Sequence, residues 1–124
     1  MNQVSNTKTP YDLEERTAKF GESIILFCKN IQENSITRSL ISQIVRSGTS
    51  IGANYGEANN AVSKKDFRNK IHIVKKEAQE TKHCLRMIST AVPEQKDSAK
   101  IFWKECQELT MIFQKIASSL KNEN

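Results

Sequence analysis

Between Ser63 and Thr90 the chain carries eight Lys or Arg against three acids, a local excess of +5 that equals the net charge of all 124 residues. At about 100° per residue, Lys64, Arg68, Lys75, Lys82 and Arg86 fall within a narrow arc of one helix. Lys65, Lys76, His72 and His83 widen that arc, while Lys70 lies elsewhere, near the apolar flank. A cationic ridge about 30 Å long matches the close charge spacing of a phosphate backbone, whose bound counterions it would release. Lys64, Lys65, Arg68, Lys75, Lys76, Lys82 and Arg86 are therefore the candidate nucleic-acid contacts, with RNA or DNA as ligand. The bland alternative is a solvated face with few acids at i,i+4. No aromatic residue interleaves with these cations along the helix, which argues against base stacking on it.

Catalytic and metal chemistry finds little footing. His72 and His83 are eleven residues apart, too far to share a metal on one helix, and no H-E-x-x-H pattern is present. Cys28, Cys84 and Cys106 are odd in number and show no C-x-x-C spacing, so neither a disulfide scaffold nor a zinc site is expected. Cys84 and Cys106 sit on or beside apolar seams, where a thiol packs as a small hydrophobe. Glu57, Glu77 and Glu80 can pair with basic residues, but carboxylates without a cleft make no acid–base site. The expectation is a protein without enzymatic activity or cofactor. The thiols suit a reducing cytoplasm.

RSGTSIGANYGEA, residues 46 to 58, holds three of the four glycines. A phosphate loop is excluded, because Gly48 and Gly52 have three residues between them and no lysine follows. A helix-turn-helix wants a small residue four places before its turn glycine and an apolar one six after; Ile44 and Asn54 stand there instead. Steps of four put Gly48, Gly52 and Gly56 on one side of a helix. Such a strip lets a neighbouring backbone approach closely, from the same bundle or from another subunit. Arg46, Ser50 and Glu57 point roughly the opposite way, as solvated surface or as contacts between subunits. Arg46, Gly48, Ser50, Gly52, Asn54, Gly56 and Glu57 are thus the candidates for oligomer contact or close helix packing.

Four amphipathic helices must position these groups, at about 10–32, 36–60, 64–91 and 98–121. Thr9-Pro10-Tyr11-Asp12 reads as a helix start, followed by Leu13, Phe20, Ile24, Phe27 and Ile31 with Thr17 in one slot. The second seam, Ile41, Ile44, Gly48, Ile51, Tyr55, Ala58 and Val62, keeps its three-four alternation through the glycines. Ser63 to Asp66 forms a capping box before Phe67, Ile71, Val74, Ala78, Thr81, Leu85, Ile88 and Val92, and Pro93 closes that helix. Asp97 or Ser98 caps the last, whose seam is Ala99, Phe102, Cys106, Leu109, Phe113, Ile116 and Leu120. Short connections between long helices imply an all-α, up-down antiparallel four-helix bundle, a single domain over 9–121 with a mobile polar tail at 1–8 and a second tail at 122–124. With 37% apolar residues, no stretch approaches the roughly 18 needed for a membrane span, and the N-terminus has no signal-peptide core.

From Ser42 to Ile88 the chain resembles a known family. SQIVRSGTSIGANYGEA followed by SKKDFRNKIHIVKKEAQET is similar to the bacterial four-helix proteins of the S23, or 23S rRNA intervening-sequence, family. Their pattern is Q-x-x-R-S-G-T-S-I-G-A-N, then E-A, S-x-x-D-F and K-E-A-x-E-T. Gln43, Arg46 to Asn54, Glu57, Asp66, Phe67, Lys76, Glu77 and Glu80 occupy its positions. One departure is His83-Cys84-Leu85, where the family usually has an aromatic pair before the leucine. The resemblance implies a homo-oligomer, with a pentameric ring favoured, and no assigned catalytic residue. Related accessory proteins of diversity-generating retroelements bind RNA and a reverse transcriptase, so a protein partner of that kind is a further expectation.

Overall fold

The computed structural model describes residues 10–121, with side chains from 12 to 120. The tails expected at 1–8 and 122–124, and the Thr9 cap, lie outside the described residues. Within them are four α-helices and no strand: α1 (Pro10–Lys29), α2 (Thr37–Asn59), α3 (Lys64–Ala91) and α4 (Lys96–Lys121).

Local chemistry sets the helix ends. The last turn of α1 closes through Asn30 N–H to Phe27 O and Ile31 N–H to Cys28 O, so α1 stops three residues earlier than expected while Ile31 stays buried. The start of α2 belongs to Asn34, whose side-chain oxygen accepts from the N–H groups of Ile36 and Thr37, each at 2.9 Å. Thr37 Oγ1 in turn accepts from Asn34 N–H and donates to Gln32 O at 2.7 Å, fixing the turn. Ser63 is extended, and its Oγ accepts from Asp66 N–H at 3.0 Å, one arm of the capping box. Val92, at φ −133° and ψ 76°, has left the helical region ahead of Pro93 and ends α3. A single 3₁₀ turn at Pro93–Gln95 then runs straight into α4, which begins at Lys96, before the expected caps Asp97 and Ser98.

Each helix packs on its chain neighbours, and α1 also touches α4. Side-chain partners run in opposite order along every such pair. Between α2 and α3 these are Glu57 with Lys70, Ser47 with Thr81, and Gln43 with Cys84. The α1–α4 seam is the thinnest, bridged by Arg16 to Glu105 (2.7 and 2.8 Å) and Glu108 (2.7 Å), and by Phe27 against Phe102 with ring centroids 5.2 Å apart. Tyr55 meets Phe113 edge-on across the core. The seam residues of all four helices are buried or half-buried, including Cys84 and Leu85 of the divergent turn. Val62 is the exception at 96% exposure: α2 has ended at Asn59, so its place in the periodicity no longer points at the core.

The glycines of α2 pack inside the chain, against α1. A Cβ on Gly48 would stand 3.2 Å from the Ile24 side chain, and one on Gly52 would stand 3.2 Å from Thr17 Oγ1 and 3.3 Å from the Thr17 carbonyl carbon. Gly21 faces back from α1, 3.4 Å from Thr49 Cα by the same measure. These three allow the backbones of α1 and α2 to close up. Gly56 does not belong with them: nothing lies within 4 Å of its Cβ position. Its step in the sequence matches the strip, but α1 has no atoms there, so the close packing within this chain is made by Gly48 and Gly52 with Gly21 opposite.

Candidate functional site

Along α3 the predicted ridge divides by depth. Lys64, Lys65, Lys76 and Arg86 are exposed, whereas Arg68, Lys75 and Lys82 are half-buried. The arc shared by Lys75 and Lys82 borders the α4 contact rather than lying opposite the core. Lys82 shows the consequence: its Nζ donates to Gln107 Oε1 at 2.6 Å and sits 5.4 Å from the centre of the Trp103 ring. A cation over an indole face is attracted by the ring quadrupole. Lys70 is turned away, paired with Glu57 of α2 at 2.7 Å. That hydrogen bond and the Glu57 charge raise the Lys70 pKa.

Beside Lys82 the C-terminal half of α3 and the N-terminal half of α4 border a groove of about 450 Å³. Leu85 and Ala99 are its buried floor; Arg86, Lys96 and Lys100 form its cationic rim, with Ser89 and Trp103 completing the lining. No carboxylate lines it among the described residues. Trp103, the chain's single tryptophan, is 40% exposed. Aromatic surface at this groove comes from α4, which a reading of the α3 cations alone does not include. The signal was legible in the sequence. Lys96, Lys100, Trp103 and Gln107, at steps of four, three and four, mark one flank of α4.

The second candidate set is satisfied within one chain. Arg46 donates to Glu77 at 3.1 Å and also to Glu80, tying α2 to α3. Glu77 is buried beneath it. The Glu80 hydrogen bond and the Glu77 charge raise the Arg46 pKa further. Ser50 Oγ donates to Arg46 O at 2.6 Å and Asn54 Nδ2 donates to Ser50 O at 2.9 Å, so both fold back on their own helix. Thr81 Oγ1 meets Ser47 Oγ at 2.8 Å in the core. Glu77 and Ser47 join the seam residue Thr81 in a buried polar layer, and periodicity marked only Thr81.

All three thiols are free and buried. Burial pushes Cys28 up to about 11 and Cys106 up to about 12, and it raises Cys84 as well. A thiol that stays protonated is a poor nucleophile. His72 and His83 are both exposed, and no group of three or more His, Cys, Asp or Glu could hold a metal among the described residues. Among those residues, no helix is long and apolar enough to cross a membrane.

With this geometry established, similarity to known proteins can be placed. No curated protein matches the chain. It is similar to the 1.70 Å crystal structure of a protein with unknown function from the S23 ribosomal protein family of Bacteroides thetaiotaomicron VPI-5482. The two share 29% identity, the alignment covers 88% of this chain and 97% of the other, and the TM-score is 0.79. A family model described as 23S rRNA-intervening sequence protein matches residues 11–118, a span that includes every residue of the α3–α4 groove and of the α2–α3 polar layer. The chain belongs to the family of 23S rRNA-intervening sequence proteins.

Proposed function

We propose that the protein is a non-enzymatic, up-down antiparallel four-helix bundle that assembles into a homo-oligomeric ring of five and binds nucleic acid, RNA in particular, through the basic face of α3. The observation that carries this reading is the convergence of cations from two helices. Arg86 of α3 and Lys96 and Lys100 of α4 rim one groove that no carboxylate enters, and Lys65 and Lys76 extend the charge along α3. Cations grouped without acids favour a polyanion over a protein of mixed charge. The reverse-order partners on each helix pair support the up-down topology. A ring would repeat the face and strengthen a weak single contact through avidity. Free buried thiols suit the cytoplasm.

A second reading, an assembly scaffold with a protein partner such as a reverse transcriptase, has its own observation: Leu26, Ile101 and Met111 are large apolar side chains left exposed on α1 and α4. The two separate in a salt series with structured RNA and duplex DNA. The wild type is compared with a variant carrying Lys65→Gln, Lys76→Gln, Arg86→Gln, Lys96→Gln and Lys100→Gln, all at exposed positions outside the core. The wild type should show steep salt dependence, and the variant's log–log slope should be shallower by about 3 to 4. Equal, weak binding by both proteins would sink the nucleic-acid reading. Light scattering tests the ring, which a monomer at micromolar concentration contradicts.

A further inference from the structure

We infer that the α3–α4 groove seats one unpaired base of a single-stranded RNA, stacked on Trp103, with the flanking phosphates held by Arg86, Lys96 and Lys100. This rests on the nucleic-acid reading and sharpens it from a charged face to a subsite.

Three observations combine. Trp103 exposes 40% of its surface, although it stands on a flank of α4 where Lys82 and Gln107 already pack. Those two residues lie toward the C-terminal side of the indole along α4, while the groove, with Lys96, Ala99 and Lys100, lies toward its N-terminal side. Lys82 thus packs on the ring electrostatically, while Trp103 also lines the groove. At about 450 Å³ the groove falls within the roughly 300–1,000 Å³ typical of small-ligand sites.

The lining also selects the ligand. Leu85 and Ala99 give an apolar floor, which suits a flat base better than a hydrated phosphate. Three cations on the rim suit the phosphates on either side of it. In a paired stem the bases are stacked on each other and have no face to offer an indole, so only an unpaired nucleotide can use this arrangement. An acidic peptide would satisfy the rim but would leave the ring without a π-partner.

Trp103 is the chain's only tryptophan, so its fluorescence reports this groove alone. The wild-type protein is titrated at low salt with oligouridylate of about ten nucleotides, a blunt RNA duplex, inorganic polyphosphate and polyglutamate. Affinities of labelled RNAs are also measured for Trp103→Leu and Trp103→Phe. Oligouridylate should quench the emission, and Trp103→Leu should weaken its binding about tenfold while leaving duplex affinity and salt slope unchanged. Trp103→Phe, which keeps an aromatic face, should restore most of the loss.

Salt-sensitive RNA binding with unchanged emission and no loss in Trp103→Leu overturns the stacking site and leaves the nucleic-acid reading intact. Absence of binding to any RNA overturns both. Quenching by polyphosphate or polyglutamate equal to that by oligouridylate overturns the base assignment. Wild-type emission that acrylamide cannot reach also overturns it, because the ring is then covered by another subunit. The wild-type titration requires no variant, so the test survives if Trp103→Leu fails to fold.

Discussion

Two glycines on one helix allow the packing of α1 on α2 to be weighed against helix propensity alone. Gly52→Ala and Gly56→Ala both replace glycine inside α2, so each gains about 0.8–1.0 kcal/mol of helix propensity. At Gly56 nothing stands within 4 Å of the new methyl group, and that gain is the whole effect. At Gly52 the methyl would meet Thr17 Oγ1 at 3.2 Å, the Thr17 carbonyl carbon at 3.3 Å and the Ala18 nitrogen at 3.4 Å. Carbon contacts are most favourable at about 3.5–4.0 Å. Two of these three atoms belong to the α1 backbone, which no rotamer change can move aside. The helices must separate slightly, and overpacking of this kind costs about 1–3 kcal/mol.

Because the propensity gain is common to both variants, the difference between them isolates the strain. Gly56→Ala should be more stable than wild type by about 1 kcal/mol, or about 4 °C in Tm. Gly52→Ala should lie between unchanged and about 2 kcal/mol less stable. Equilibrium urea denaturation at one fixed protein concentration measures both, with equal m-values required for the comparison. If Gly52→Ala gains as much as Gly56→Ala, the close approach of α1 is not limiting and the steric account of the strip fails. A loss of stability in Gly56→Ala would refute the other half: another chain would then cover that glycine, and light scattering of the variant should show weakened assembly.

Two further outcomes follow from the buried polar layer and the thiols. Thr81→Val should cost about 1–2 kcal/mol by leaving the Ser47 hydroxyl without its partner, and adding Ser47→Ala should recover most of it; a double-mutant cycle in urea with no coupling would refute the bond. Cys28 and Cys106, pushed up to about 11 and about 12, should resist iodoacetamide in the native protein at pH 8; since unfolded thiols ionise near 9.0 while the native ones stay protonated, stability should fall as pH rises from 9 toward 12, and rapid native labelling at Cys106 would contradict this.

Much of the architecture was legible because apolar periodicity is preserved where it is needed. The three-four alternation through Gly48 and Gly52 already excluded a loop, and α2 is helical across both. Helix ends were less legible, since they depend on single polar groups. Asn34 captures two backbone N–H groups and starts α2 at Thr37, and a 3₁₀ turn after Pro93 starts α4 at Lys96. Val62 kept phase with the seam but fell beyond the last turn. For the site, the cations of α3 could be counted from sequence, but their depth could not. Lys82 is half-buried only because α4 runs alongside, and Trp103 joins the face only through the pairing of residues 82 and 103. Glu77 is buried because Arg46, 31 residues away, meets it from α2.

This division of labour says where the function of the chain should be sought. The segment from Ser42 to Ile88, which carries the family resemblance, is engaged largely in holding its own bundle together. Arg46 binds Glu77 and Glu80, Gly48 and Gly52 admit α1, and Ser47 bonds to Thr81. Changes there disturb the packing before they reach any ligand. The groove is different in kind. Lys96, Lys100 and Trp103 lie outside that segment, and the charged ends of Arg86, Lys96 and Lys100 can be altered without opening the core. A four-helix scaffold of this type can therefore keep its internal ties while α4 varies the charge and aromatic surface set beside α3. Two chains with the same α2–α3 ties but different residues at 96, 100 and 103 should fold alike and bind differently.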